Sequence, residues 1–330
     1  MELLGVILIV GVALAFDFVN GMHDAANSIA TVVSTRVLRP LPAVIWAAFW
    51  NFVAAFGFGV AVASTIGEGI IDAGVANEQV ILAALIGAIV WDLITWYYGL
   101  PSSSSHALIG GLVGAALIEA GRDAVMAAGI RKVAAFIVIS PLLGFIVASL
   151  ISLLVRTVFR RAHPTVAGTV FKRLQLLSAA AYSLSHGTND AQKTMGIIAV
   201  LLFSTGYLSG DFFVPLWVVL SAHTAIALGT LAGGWRIVHT MGSRITKLEP
   251  YGGFSAETAA ASAIIYASSA GIPVSTTHTI AGAIAGVGST RRLSAVRWGV
   301  AGQIVWAWVL TIPAAAALAA ATQLLLNAVF

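Results

Sequence analysis

The sequence predicts an all-α, polytopic membrane protein built from two inverted-topology repeats, each of about five hydrophobic segments, with broken or re-entrant helices at two motifs. Three observations predict it. Of 330 residues, 59% are apolar and only 9% charged, and apolar runs long enough to cross a bilayer recur from end to end. Two polar motifs each occur twice, once per half. Loop charge then alternates along the chain in the way two oppositely oriented copies require.

Taken in order, the apolar blocks lie at 3–35, 43–64, 80–98, 103–119 and 132–155, and again at 174–203, 212–235, 255–270, 274–288 and 297–325. All are expected as helices, because a helix satisfies its own backbone polar groups in lipid and the alternation of barrel strands is missing. The expected division is 1–155 as the first repeat, 156–173 as a basic cytoplasmic connector, and 174–330 as the second repeat. The opening Met1-Glu2-Leu3-Leu4 has no basic region and runs straight into the first block, which reads as a mature membrane segment and not a cleaved signal. That block is too long for one span, and Asn20-Gly21 reads as a break between two half-helices. If 80–119 is a re-entrant hairpin with Pro101–His106 at its tip, the sides of the flanking loops stay the same as for two full crossings. Both drawings remain open at this stage.

Charge sets the orientation. Arg36 and Arg39, the connector Arg156–Arg173, Arg236/Arg244/Lys247 and Arg291/Arg292/Arg297 fall on one side. The acidic loop with Glu68, Asp72 and Glu78, and the loop around Asp211, fall on the other. The basic side is expected to be cytoplasmic, with both termini outside the cell (inner) membrane. The loop carrying Arg131 and Lys132 is slightly basic where this scheme puts it outside. The net charge of +4 comes mainly from these loops and points to no nucleic-acid partner. The connector is expected to contact lipid, and Trp91, Trp96, Tyr97 and Tyr98 to anchor at the interface. Cysteine is absent, which excludes disulfides, thiolate metal sites and cysteine nucleophiles.

The motifs carry the chemistry. Gly21-Met22-His23-Asp24-Ala25-Ala26-Asn27 is matched by Gly187-Thr188-Asn189-Asp190-Ala191-Gln192-Lys193, and Pro101-Ser102-Ser103-Ser104-Ser105-His106 by Pro273-Val274-Ser275-Thr276-Thr277-His278. Polar groups at membrane depth are expensive and mark function, and a duplicated polar break points to a transport site shared by two repeats. Helix starts expose unpaired amides that favour an anion, and Ser103, Ser104, Ser105, Ser275, Thr276 and Thr277 add hydroxyl donors. Gly110/Gly114 and Gly282/Gly286 allow close helix packing. Two carboxylates plus a doubly charged oxyanion, offset only by Lys193, leave a net charge of about −3 in a low-dielectric site, which demands accompanying cations or protons. A carboxylate can also accept a hydrogen bond from protonated phosphate, whereas sulfate offers no donor.

On these motifs the chain resembles the PiT family of inorganic phosphate transporters over nearly its whole length. The resemblance implies phosphate–cation symport by alternating access through an inverted-repeat helical bundle. It also implies an ion and phosphate centre of Asp24, Asn27, Asn189, Asp190 and Lys193, with the serine and threonine hydroxyls on phosphate. His23 stands where sodium-coupled members carry asparagine, and Asn51 and His223 where animal members carry glutamate. The pattern is more like the bacterial low-affinity Pit branch, which implies proton coupling and carriage of phosphate as a divalent metal complex. Proton symport is therefore preferred, with sodium coupling and sulfate import as alternatives. His23 and His223 join Asp24, Asp190, Asn27 and Asn189 as coupling candidates, and Asp17 and Asp92 are candidate proton relays. His106 and His278 read as braces of their loops. No resident cofactor and no catalytic residue are expected, and homo-oligomers are compatible with the scheme. A passive anion channel and an intramembrane hydrolase using Ser105-His106 or Thr277-His278 are remote rivals. Adjacent helix residues do not face each other, and two copies argue against one nucleophile.

Overall fold

The computed structural model describes residues 3–57, 59–72 and 74–329. Met1, Glu2 and the side chain of Glu68 lie outside the described residues. Twelve α-helices follow one another among those described: α1 Leu3–Ser34, α2 Pro40–Val53, α3 Ala61–Gly69, α4 Glu78–Tyr98, α5 Ser104–Ala120, α6 Ala127–Val158, α7 Pro164–Ser204, α8 Leu216–Ala232, α9 Trp235–His239, α10 Pro250–Ser269, α11 Thr276–Ser289 and α12 Trp298–Val329. The chain is a multi-pass membrane protein. Helices α1, α4, α6 and α12 are each long and apolar enough to cross a bilayer, and α8 with the stretch Trp235–Arg244 is apolar enough only as a pair bent by 65°, the shape of a broken span or a re-entrant loop.

The second half repeats the first helix for helix, and the packing repeats with it. Helix α1 lies on α8 as α7 lies on α2, α5 on α12 as α11 on α6, and α4 on α1 as α10 on α7. Glycines make these crossings close. A Cβ at Gly110 or Gly114 would stand 2.5 Å or 2.1 Å from the Ile312 or Ala316 carbonyl of α12. At Gly282 or Gly286 it would stand 2.1 Å or 2.3 Å from the Pro141 or Phe145 carbonyl of α6.

Four expectations change. Helices α1 and α7 run unbroken through Gly21 and Gly187, so the half-helix break is not there. A Cβ at Gly21 would lie 2.2 Å from the Ile226 carbonyl, and one at Gly187 2.7 Å from the Asn51 carbonyl. The motif glycine is therefore the seat of a helix crossing, which outweighs the ~1 kcal/mol that glycine costs a helix interior. Each second apolar block is two helices, α2 with α3 and α8 with α9, the latter pair divided at Gly233 with φ +71°. Position 68 is helical, in α3, where a loop was expected. Most of 156–173 is helical too, since only Phe159–His163 separates α6 from α7.

The breaks lie instead at the serine and threonine motifs. Helices α4 and α5 form a hairpin closed at its base by Asn77 Nδ2 donating to Glu119 Oε1 at 2.8 Å, and α10 and α11 form another, closed by Arg291 Nε donating to Tyr251 Oη at 3.0 Å. Their tips meet inside the protein. The rings of His106 and His278 lie 4.8 Å apart, Trp308 stacks on His278 at 4.0 Å, and the Trp308 indole donates to the Pro101 carbonyl. Two opposed hairpins touching tip to tip fit the re-entrant drawing. The apolar core falls into two clusters, one around α3, α4 and α5 and one around α2, α10 and α11.

Candidate functional site

The two motif aspartates meet at the centre of the molecule. Asp24 and Asp190, each on an unbroken helix of its own repeat, have carboxylate oxygens that together with a His186 nitrogen all lie within 4.8 Å of one another. His186 Nε2 is 3.1 Å from Asp190 Oδ2 and 3.9 Å from Asp24 Oδ2, so one imidazole bridges both acids. Asp190 is also held by Lys193 Nζ at 2.5 Å. Asp24 is held by its neighbour His23, whose Nδ1 lies 2.8 Å from Oδ1. Helix spacing explains the sharing of partners. His186, Asp190 and Lys193 fall at i, i+4 and i+7 on one face of α7, which turns them toward α1.

The first turns of the hairpin helices close the centre. Ser103 and Ser275 are the N-caps of α5 and α11, accepting from the His106 and His278 amides, so these two hydroxyls hold the helix starts in place. One residue on, the two copies diverge. Thr276 Oγ1 donates to Asp190 Oδ2 at 3.0 Å, Thr277 Oγ1 donates to Asp24 Oδ2 at 3.2 Å, and Asn27 Nδ2 donates to Thr277 at 2.8 Å. From the other hairpin Ser105 takes a hydrogen bond from Lys193 Nζ at 2.5 Å, which also reaches the Val274 carbonyl at 3.2 Å. Ser104 is buried with its hydroxyl unpartnered.

Not every candidate reaches the centre. His223 lies one residue further out, its Nδ1 donating to the Asn51 carbonyl at 2.9 Å, and touches neither aspartate. Asn51 links it to His186, whose Nδ1 lies 3.2 Å from Asn51 Oδ1. Asn189 turns to Ser268 at 2.8 Å, with its own oxygen unpartnered. His23 extends away from the pair to Thr95 and Ser102. The hydroxyl–imidazole pairs of the hydrolase reading do not form: Ser105 serves Lys193, and His106 faces His278.

Two groups escaped the sequence reading. His186 lies one residue before the quoted motif and occupies the place of Asn20 in the first copy; asking which residues precede Asp190 by one helical turn would have found it. Glu257, on α10, is wholly buried and receives Thr31 at 2.6 Å, Gln175 at 3.1 Å and Ser178. An acid inside an apolar block was its only sequence signal. Tyr182 stands between the two groups, its ring stacked on His186 and its hydroxyl donating to the Thr276 carbonyl.

Chemically, this is a cluster of hydroxyl and ammonium donors paired with carboxylates. Thr276, Thr277, Ser105 and Lys193 are donors of the kind that bind an oxyanion, and they are engaged by the two carboxylates or by the groups beside them. No residue of this central set is more than 4% exposed. An entering anion would have to displace carboxylate oxygens from these donors, and the displaced carboxylates would then need cations or protons. Asp24, His186 and Asp190 together could also hold a divalent cation, since they offer two carboxylates and an imidazole.

An all-helical membrane fold with a buried, charge-dense centre shared by two inverted repeats is the architecture of a transporter. The chain belongs to the phosphate transporter family, whose model matches residues 20–169 and again 159–319, once per repeat. It is 62% identical over 312 residues to a probable low-affinity inorganic phosphate transporter of Rhizobium meliloti (strain 1021), covering 94% of this chain and 93% of that protein. It is 44% identical over 326 residues to a protein of the same description from Bacillus subtilis (strain 168), covering 98% of each. A solved structure described as the sodium-dependent phosphate transporter matches with a TM-score of 0.88 and 28% identity, over 99% of this chain and 100% of that one. The family consists of transporters and not enzymes.

Proposed function

We propose that this protein imports inorganic phosphate by proton symport, with the two repeats alternating around the Asp24–Asp190 centre. The observation that carries the reading is the meeting of two carboxylates from opposite repeats with Lys193, Ser105, Thr276 and Thr277 in one buried place. Phosphate takes the hydroxyls and the ammonium; Asp24 and Asp190, released from them, take up the coupling ions. His23, hydrogen-bonded to Asp24, and His186, within ion-pair distance of Asp190, support protons as those ions, because imidazole titrates in the physiological range. Asn27 and Asn189, each with an unpartnered carbonyl oxygen, complete the cation-binding set. His223 supports it only through Asn51. A divalent metal carried with phosphate would sit on Asp24, His186 and Asp190 and lower the charge further.

The relatives named as inorganic phosphate transporters support the substrate, and the solved relative named sodium-dependent favours sodium as the second reading for the coupling ion. The protein lies in the cell (inner) membrane in this reading, with Arg36, Arg39 and Arg244 facing the cytoplasm and both termini outside. The test is uptake of radiolabelled phosphate into liposomes with proton and sodium gradients imposed separately. Accumulation under the proton gradient, competition by arsenate and little by sulfate, and collapse in Asp24→Asn and Asp190→Asn are expected. Normal uptake by both variants would refute the site, and accumulation under sodium alone would reassign the ion.

A further inference from the structure

The buried acids of this protein are not treated alike. Asp190 is met by Lys193, His186 and Thr276, and Glu257 by Thr31, Gln175 and Ser178. Asp17, two turns before Asp24 on α1, is 0% exposed, and neither of its oxygens has a partner. Its polar neighbours are Asn20 on its own helix and Thr194 across on α7, and Asn20 Oδ1 and Thr194 Oγ1 are unpartnered as well. The charged groups that face it are Asp190 and His186, both on α7, and His186 is already engaged by Asp190 and Asn51. On the other packed helices, Asp92 of α4 lies toward His23 and Asp24, His223 of α8 is bonded to the Asn51 carbonyl, and α2 carries no titratable residue.

An ionised carboxylate left this way is very costly, so the group must hold a cation or a proton. The groups at hand decide which. Asp17 and Asn20 present three acceptor oxygens, and the donors beside them, the Thr194 hydroxyl and the Asn20 amide, are neutral and leave an ionised carboxylate without a counter-charge of its own. One added proton lets a carboxylic O–H donate to Asn20 Oδ1, three residues on and on the same helix face, while Thr194 donates to the remaining oxygen. A hard metal ion prefers about six oxygens. Only four side-chain oxygens are free here, and the backbone carbonyls of α1 and α7 are committed to their own helices.

We propose that Asp17, with Asn20 and Thr194, is a second coupling site that carries a proton beside the phosphate centre in the α1–α7 seam. This rests on the proton-symport reading and extends it by one site. The site belongs to the first repeat alone, because Ser183 occupies the equivalent place on α7.

The experiment measures protons taken up per phosphate, with a pH dye and radiolabel in the same proteoliposomes, for the wild type, Asp17→Asn and Asp17→Glu. Asp17→Asn is expected to take up one proton fewer per phosphate. Its accumulation ratio under a gradient of one pH unit should fall about ten-fold, the factor that one pH unit supplies per proton. Asp17→Glu should restore both. Infrared difference spectra on adding phosphate should contain a protonated-carboxyl stretch that Asp17→Asn loses. Should Asp17→Asn fail to fold, Asp17→Ser replaces it, since the second repeat already carries serine at this place. Unchanged stoichiometry and an unchanged carboxyl band in the variant would overturn the proposal alone. A wild type that takes up no protons with phosphate overturns the symport reading and this site together, and a loss in Asp17→Asn seen only under a sodium gradient overturns the choice of ion.

Discussion

Asp24 and Asp190 occupy the same place in two copies of one motif, yet their surroundings have diverged. Asp190 has a lysine, Lys193, on the next turn of its own helix; at the equivalent place Asp24 has Asn27, which turns to Thr277. Asp24 instead has His23 beside it, where the second copy carries Asn189. The two glycines that seat the motif helices have not diverged: both face a backbone carbonyl of the crossing helix. Shape has been kept in both copies, and charge has been shared out between them. The reason is that a backbone crossing is needed wherever the helix passes, whereas one buried anion needs only one fixed cation.

This contrast can be broken most severely at Lys193. Lys193→Met leaves Asp190 buried with a lost partner, a change of about 3–5 kcal/mol. Phosphate uptake is expected to fall more than about 100-fold, with a lower melting temperature in detergent. Asp190→Asn added to Lys193→Met should restore much of the stability and none of the uptake. A double variant no more stable than the single one would show that the pair is not coupled.

Next in size are the glycines. Gly21→Val and Gly187→Val should be equally damaging, each forcing a side chain onto a carbonyl at a cost of at least about 1–3 kcal/mol. The measure is the yield of folded protein; a large inequality between the two would break the claim that shape is conserved between the copies. A smaller effect is expected at His186, where His186→Gln keeps a hydrogen bond but not a titrating ring. Uptake should survive, with a flatter dependence on external pH than the wild type. The smallest effects belong to the caps. Ser103→Ala and Ser275→Ala should each cost about 1 kcal/mol of stability, and uptake should change less than in Thr277→Ala, whose hydroxyl bonds Asp24 directly.

The sequence by itself determined the membrane class, the doubling and most of the residues that meet at the centre, because lipid imposes local rules. Apolar length, loop charge and the rarity of buried polar groups can all be read along the chain, and they picked out Asp24, Asp190, Lys193, Ser105, Thr276 and Thr277. Only the tertiary structure decided that Gly21 and Gly187 seat crossings and do not break helices, because the carbonyls they meet lie on other helices. It alone showed His186 bridging both acids, Glu257 supplied with donors from α1 and α7, and His223 one shell removed from the centre. Each of those facts is a contact between helices. Spacing along one helix says which face a residue occupies, and only packing says what stands opposite.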